Sequence, residues 1–323
     1  MALLLQEDDV RRLLTMEHAL SAVEDAFRAM ASGGAANYVR QRNSHPGVNM
    51  NILCAISSVL DAAAIKCYPI VRQDITVGSS FTVLVYRIST GRLDGVLEAN
   101  TLGQIRTGAA SGVATKYLAR AESSVMTLFG TGWQAESQLE AVARVLPRLE
   151  RVNVIGRSAE RAARFAELMR SRLKLELIVT GDVEQAVRAA DVITTATGSR
   201  EPLFDGNWLK RGVHINAVGS NFAEKQEIDA VTVRRSDLIV VDDLEVARIE
   251  SGDLIAAEKA QSVDWKRVEP LCRVVAGAIP GRTTASQITL FESHGLGVED
   301  LAAAVRVLEL ARQSGVGMEI PIR

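Results

Sequence analysis

The chain has 323 residues, 47% of them apolar and 24% charged, with a formal net charge of −2. That length and composition suit a globular protein of two domains, each large enough to bury its own core. A near-neutral balance without a long basic run excludes a sequence-blind nucleic-acid face. No apolar stretch approaches a membrane span, and the early acids of MALLLQEDDVRRLL are wrong for a signal peptide, so a cytoplasmic protein is expected.

In chain order, residues 4–31 read as a polar start and then a helix. After Thr15, Ala19, Val23, Ala26, Phe27 and Met30 recur at helical spacing, and Ser32-Gly33-Gly34 ends the run. Short strands are expected at Asn51–Ile56, Ala63–Tyr68 and Phe81–Tyr86. Turns at Asn43-Ser44-His45-Pro46-Gly47 and Val77-Gly78-Ser79 separate them, and a hairpin turn at Ser89–Arg92 leads into Leu93–Glu98. The first hundred residues therefore form a mostly antiparallel sheet behind one helix. A helix rich in small residues opens at Gln104 and ends near Ala121; Gly112 and Ala114 suit close packing against another helix.

From Val125 the pattern changes. VMTLFGTGWQA reads as a buried strand, a tight Gly130-Thr131-Gly132 turn, and a helix opening at Trp133 or Gln134. Gly130 permits the turn and Gly132 clears space for phosphates near the backbone. Ala135, in the third glycine position, lets the helix pack closely on the strand: the arrangement that lays a dinucleotide pyrophosphate on a helix N-terminus. The second strand, Arg151–Ile155, ends in Gly156-Arg157-Ser158 with no acid to accept the ribose hydroxyls. A guanidinium and a hydroxyl there suit a 2′-phosphate, so NADPH is expected in preference to NADH. Further strands at Leu175–Val179, Asp191–Ala196, Val213–Val218, Asp237–Val241 and Ile288–Phe291 are separated mostly by helices, implying a doubly wound parallel sheet. Ligand groups should gather at strand ends near Thr197 and Gly219-Ser220-Asn221. An apolar helix, Val298–Arg312, closes the chain. Cys54, Cys67 and Cys272 are scattered, and the four histidines show no metal-ligand spacing, so no metal site is expected.

Several motifs now stand in one order: Ala64-Ile65-Lys66, Ile105-Arg106-Thr107-Gly108-Ala109-Ala110, Gly130 through Ala135, Asn216 through Asn221, Gly281-Arg282-Thr283, and FESHGLGVED from Phe291 to Asp300. The chain thereby resembles the ornithine cyclodeaminase/mu-crystallin family over almost its whole length. The resemblance implies a discontinuous α+β substrate-binding and dimerisation domain, residues 1–118 and 297–323, around a Rossmann domain of 119–296. It also implies a homodimer whose antiparallel sheets meet, and a nicotinamide cofactor acting on a small imino or amino acid. Carried across, Arg42 and Arg106 hold the substrate carboxylate, Lys66 is the active-site lysine, and Thr107 contacts the cofactor phosphates. A guanidinium fork suits a carboxylate, and a desolvated lysine suits proton exchange with a substrate nitrogen.

The cyclodeaminases carry Asp where this chain has Asn221, and Glu where Asn51 falls. Without those acids the multistep cyclodeaminase reaction is disfavoured. Reduction of a cyclic ketimine such as pyrroline-2-carboxylate or piperideine-2-carboxylate is expected. Alternatives are an amino-acid dehydrogenase, an opine-like synthase, a cyclodeaminase in which Asp242, Asp243 or Glu227 replaces the missing acid, and a non-catalytic NADPH-binding crystallin-like scaffold. His294 is a candidate proton donor beside the nicotinamide or a polar residue at a helix entrance. Trp133 either stacks on cofactor or covers the helix start. Substrate preference is assigned to loops at Arg40–Asn49 and Gln73–Ser80.

Overall fold

A computed structural model describes residues 1–71 and 80–322. The expected turn at Val77-Gly78-Ser79, and residues 73–79 of the second expected loop, fall outside them. The chain divides into two compact units, Met1–Thr107 with the segment from Leu296 onward, and Gly108–Gly295.

The first unit begins with β1 (Ala2–Leu5), α1 (Glu7–Leu13) and α2 (Met16–Ala31). The apolar opening read as part of a polar start is instead a buried strand, with Ala2 and Leu5 wholly inaccessible. Thr15 caps α2 by accepting from the His18 amide at 3.2 Å, and Ala19, Val23, Ala26 and Phe27 are buried as their spacing requires. Then come β2 (Ala35–Asn37), β3 (Gln41–His45), β4 (Val48–Ser57), β5 (Ala62–Val71), β6 (Thr82–Arg87) and β7 (Arg92–Glu98). Strand β3 replaces most of the turn expected at Asn43–Gly47. Among the described residues it pairs only with β4, and its side chains are mostly exposed, so it shows no apolar alternation. Helix α3 (Asn100–Leu118) starts four residues before the expected Gln104.

The second unit continues with β8 (Val125–Phe129), α4 (Trp133–Val145), β9 (Arg151–Ile155), α5 (Ala159–Leu173), β10 (Glu176–Val179), α6 (Val183–Ala189), β11 (Val192–Thr195) and β12 (His214–Ala217). Next are α7 (Ala230–Arg235), β13 (Leu238–Val241), α8 (Leu244–Glu250), α9 (Gly252–Lys259), β14 (Val268–Pro270), α10 (Leu271–Val275) and β15 (Thr289–Glu292). Its sheet is parallel throughout, ordered β10-β9-β8-β11-β12-β15-β13-β14. The chain runs outward from β8 to β10, then returns to β11. That reversal is the topological switch point at whose carboxyl side open α/β sheets bind ligands. Strand β15 enters between β12 and β13 and is buried along its length; β14 and α10 were not anticipated. Gly108 allows α3 to meet α4 at backbone distance, since a Cβ there would lie 2.4 Å from the Ser137 carbonyl oxygen.

The chain closes with α11 (Gly297–Ser314) and β16 (Met318–Ile320), both in the first unit. The first sheet is ordered β16-β1-β7-β6-β5-β4-β2, with β1 parallel to β7 and the other pairs antiparallel. Helix α11 packs against α2 and across β4, β5 and β6, covering the inner face that carries Leu53, Ala55, Ala64, Val83 and Val85. Among the described residues, no helix is long and apolar enough to cross a membrane.

Candidate active site

In the second unit, Gly130 adopts φ +114 and its amide donates to the Ile155 carbonyl at 2.9 Å. A Cβ there would come within 2.4 Å of the Ala196 carbonyl oxygen, so conformation and space both demand glycine. A cavity of about 550 Å³ opens at this turn. Of the expected cofactor residues, Gly130, Thr131, Gly132, Arg157, Ser158 and Thr197 line it, together with the unanticipated Arg161, Arg200 and Glu201. Gly132 and Ser158 are the N-caps of α4 and α5, so two helix N-termini border one hollow, the polarity an anionic pyrophosphate needs. A Cβ on Gly132 would meet no protein atom within 4 Å. These residues fit a dinucleotide.

Trp133, Gln134 and Ala135 form the first turn of α4 instead of lining that cavity. Trp133 is 44% exposed, whereas Ala135 is fully buried, as close helix–strand packing requires. Gly219 and Ser220 also lie off the cavity wall, tied inward by carboxylates. Glu227 accepts from Thr195 Oγ1 at 2.7 Å, from the Thr197 amide and hydroxyl at 2.6 and 2.7 Å, and from the Gly219 amide at 2.6 Å. Burial pushes its carboxyl above the ordinary value, while these four donors pull it down. One side chain thus secures the loops after β11 and β12. Ser220 Oγ donates to Glu292 Oε2 at 3.3 Å, and burial raises the Glu292 pKa well above normal. Asn221 Oδ1 accepts from Lys225 Nζ at 3.1 Å.

His294 is buried, with Nδ1 2.9 Å from Asp242 Oδ1; Asp242 Oδ2 accepts the His294 and Gly295 amides at 2.6 and 2.9 Å. Asp243 caps α8. The three acids considered as replacements at position 221 are therefore all engaged in holding backbone, and His294 belongs to a buried pair with Asp242. Asn216 and Arg282 are architectural too. Asn216 donates to Thr115 Oγ1 at 3.0 Å, and Arg282 Nε to the Leu118 carbonyl at 2.7 Å.

The first unit holds the second group. Lys66 on β5 and Arg106 on α3 are buried, 3% and 6% exposed. Lys66 Nζ and Arg106 Nε both donate to Asp300 Oδ1, at 3.0 and 2.8 Å, and Arg106 Nη1 donates to Glu299 Oε2 at 2.6 Å. The Phe81 and Tyr68 rings lie 5.1 and 5.7 Å from the ammonium. Burial lowers the Lys66 pKa to about 8, with Asp300 opposing and the Arg106 and Arg40 charges reinforcing the fall. Burial also works against the Arg106 charge, but Asp300 and Glu299 outweigh it and raise its pKa.

Arg42 pairs with Asn51 across β3 and β4, and Asn51 with Tyr68 across β4 and β5. Cross-strand partners share a face, so Arg42 lies on the lysine side of the sheet. Thr107 is turned back along its helix, its hydroxyl donating to the Gly103 carbonyl at 2.7 Å. Glu299 and Asp300 were quoted within the C-terminal motif but given no role. Two acids in the first turn of a helix read as ordinary dipole partners, and only the tertiary fold brings them to Lys66 and Arg106.

A Rossmann-type parallel sheet with a glycine turn, accompanied by a separate mixed sheet bearing a buried lysine–arginine–carboxylate cluster, defines the class of α/β protein. Residues 1–315 match the model of the ornithine cyclodeaminase/mu-crystallin family. A Delta(1)-pyrroline-2-carboxylate reductase of Bacillus cereus is 31% identical, covering 98% of this chain and 99% of its own. The structure of Thermococcus litoralis Delta(1)-pyrroline-2-carboxylate reductase with NADH and L-proline superposes with a TM-score of 0.93 at 33% identity, over 98% of this chain and 100% of that one. An archaeal alanine dehydrogenase dimer with bound NAD also gives 0.93, at 32% identity over 100% and 99%. The chain belongs to the ornithine cyclodeaminase/mu-crystallin family.

Proposed function

We propose that the protein is an NAD(P)H-dependent reductase of cyclic ketimines, forming L-amino acids from substrates of the pyrroline-2-carboxylate or piperideine-2-carboxylate type. The observation that carries this reading is the buried Lys66 ammonium, held with Arg106 on one Asp300 oxygen and on the same sheet face as Arg42. Arg42 and Arg106 bind the substrate carboxylate through charge-assisted hydrogen bonds and so orient the imine carbon. Lys66, with a pKa near 8, is protonated at neutral pH and gives a proton to the ring nitrogen as the C=N bond becomes C–N. The bound nicotinamide supplies the hydride that completes the reduction. The same site suits an open-chain imine, a second reading favoured by the likeness to the archaeal alanine dehydrogenase.

NADPH is proposed as the preferred cofactor, with Arg157, Ser158 and Arg161 at the second strand end receiving the 2′-phosphate. The free thiols of Cys54, Cys67 and Cys272 fit the cytoplasm. The test is loss of reduced-nicotinamide absorbance across a panel of cyclic and open-chain imines, each run with NADPH and with NADH. Turnover of pyrroline-2-carboxylate is expected, fastest with NADPH, and Lys66→Ala should lower it about 100-fold or more. Ammonia-dependent reduction of a 2-oxo acid alone would favour the open-chain reading. Cofactor binding with no turnover of any imine would reject both.

A further inference from the structure

Lys66 sits where an ammonium group has little reason to stay charged. It is almost wholly buried, two aromatic rings flank it, and the guanidinium of Arg106 shares its hydrogen-bond acceptor. Among the described residues, the charged and titratable groups facing it are Asp300 and Glu299 from α11, Arg106 from α3, Arg40 ahead of β3, and Tyr68 on its own strand. Glu299 is spent on Arg106 at 2.6 Å, while Asp300 touches the ammonium itself at 3.0 Å.

We propose that Asp300 is the positioning residue for Lys66: its Oδ1 oxygen clamps the ammonium beside Arg106 and supplies the negative charge that keeps a buried lysine a proton donor. The inference rests on the imine-reductase reading and adds to it the group that makes the lysine competent. Geometry and charge act together. One oxygen receives Nζ and the arginine Nε, so the ammonium stands at a fixed place next to a carboxylate anchor, with its remaining hydrogens available to a substrate nitrogen. With Arg40 counted, the charged groups Lys66, Arg106, Arg40, Glu299 and Asp300 sum to +1, which suits an imine carboxylate whose neutral nitrogen takes the lysine proton. Removing the Asp300 charge leaves Lys66 facing two guanidinium groups.

Asp300→Asn keeps the acceptor oxygen and removes the charge. The alkaline limb of kcat/KM for imine reduction should then move down by about one to three pH units, because a contacting opposite charge is lost. Asp300→Glu restores the charge from a longer stem, so the limb should return towards wild type while turnover stays reduced. The readout independent of turnover is the 13Cε chemical shift of Lys66 titrated in lysine-labelled protein and assigned with Lys66→Arg; its midpoint should fall in Asp300→Asn and recover in Asp300→Glu. A folded Asp300→Asn protein whose Lys66 midpoint and alkaline limb both stay at the wild-type pH overturns the inference. So does an Asp300→Glu protein that titrates like Asp300→Asn. Should the wild type reduce no imine while the Lys66 midpoint still depends on Asp300, the clamp stands and the reductase reading is what fails.

Discussion

At the residue scale, Lys66 links the chemistry to stability. Its pKa falls from 10.5 to about 8 on folding, chiefly through burial. Below pH 8 both states carry the proton and the folded state bears the full penalty of a buried cation. Between the two values the unfolded chain binds more protons than the folded one, so stability rises with pH; above 10.5 neither is charged and the penalty is gone. Lys66→Met has no such proton. The stability difference between wild type and Lys66→Met should therefore shift in the wild type's favour by roughly 3 kcal/mol from pH 8 to pH 10.5, as read by urea unfolding at matched pH. A pH-independent difference would contradict the buried-ammonium account. Lys66, Arg42 and Arg106 were legible only through the family motifs, since a lysine with apolar neighbours in a strand ordinarily keeps its ammonium in solvent and Arg42 stands in the polar run QRNSH. Asp300 was not, because an acid in a first helical turn is unremarkable until the chain brings it to a residue 234 positions away. His294 had the same difficulty: its partner, Asp242, lies 52 positions earlier.

At the element scale, elements with a strong period or a glycine turn were readable, and those that depend on neighbours were not. Strand β9 was expected at its observed bounds, and β8 and α2 were clear from their apolar pattern. Strand β3 carries QRNSH at a sheet edge, where neither side must be apolar. The largest burden falls on α11, whose apolar positions announce a helix but not that its first turn bears Glu299 and Asp300. That turn is seated by Gly297: a Cβ there would lie 2.8, 3.0 and 3.2 Å from the Cys54 carbonyl oxygen, carbonyl carbon and amide nitrogen of β4. Strand backbone cannot swing aside as a side-chain tip can, so the helix must move. Gly297→Ala should lower stability by about 1–3 kcal/mol, the usual cost of overpacking. It should also reduce turnover of the imine substrate by shifting the two acids, while cofactor affinity stays at the wild-type level because the glycine turn lies in the other unit. Denaturant midpoints, steady-state rates and NADPH fluorescence titration distinguish these effects. Unchanged turnover in a destabilised Gly297→Ala protein would show that the seating of α11 does not govern the site.

At the scale of the whole molecule, the first sheet carries apolar side chains on both faces, joined on the inner one by Lys66, Asn51 and Arg42. Its inner face is covered by α11. On the other, the register aligns Cys54, Ile65, Leu84 and Val96 in one row across β4 to β7, with Ile52 and Cys67 beside it on β4 and β5. All six are partly exposed, and Ile56, further along β4, is 40% exposed. A contiguous apolar surface on a sheet calls for cover, and a second copy of the same patch, related by a two-fold axis, provides a self-complementary partner. The homodimer suggested by the family motifs is thus proposed to bury this face, and Ile65 lies in the row that spans all four strands. Ile65→Glu places a carboxylate there without altering the inner face, where Lys66 stands next in sequence, because neighbouring strand residues point to opposite sides. Sedimentation equilibrium at micromolar concentration should give a dimer for the wild type and a monomer for Ile65→Glu. NADPH affinity should be unchanged in the monomer, since the glycine-turn cavity lies within the second unit. A wild-type protein that sediments as a monomer, or an Ile65→Glu variant that remains dimeric, would show that this face is not the one a second copy covers.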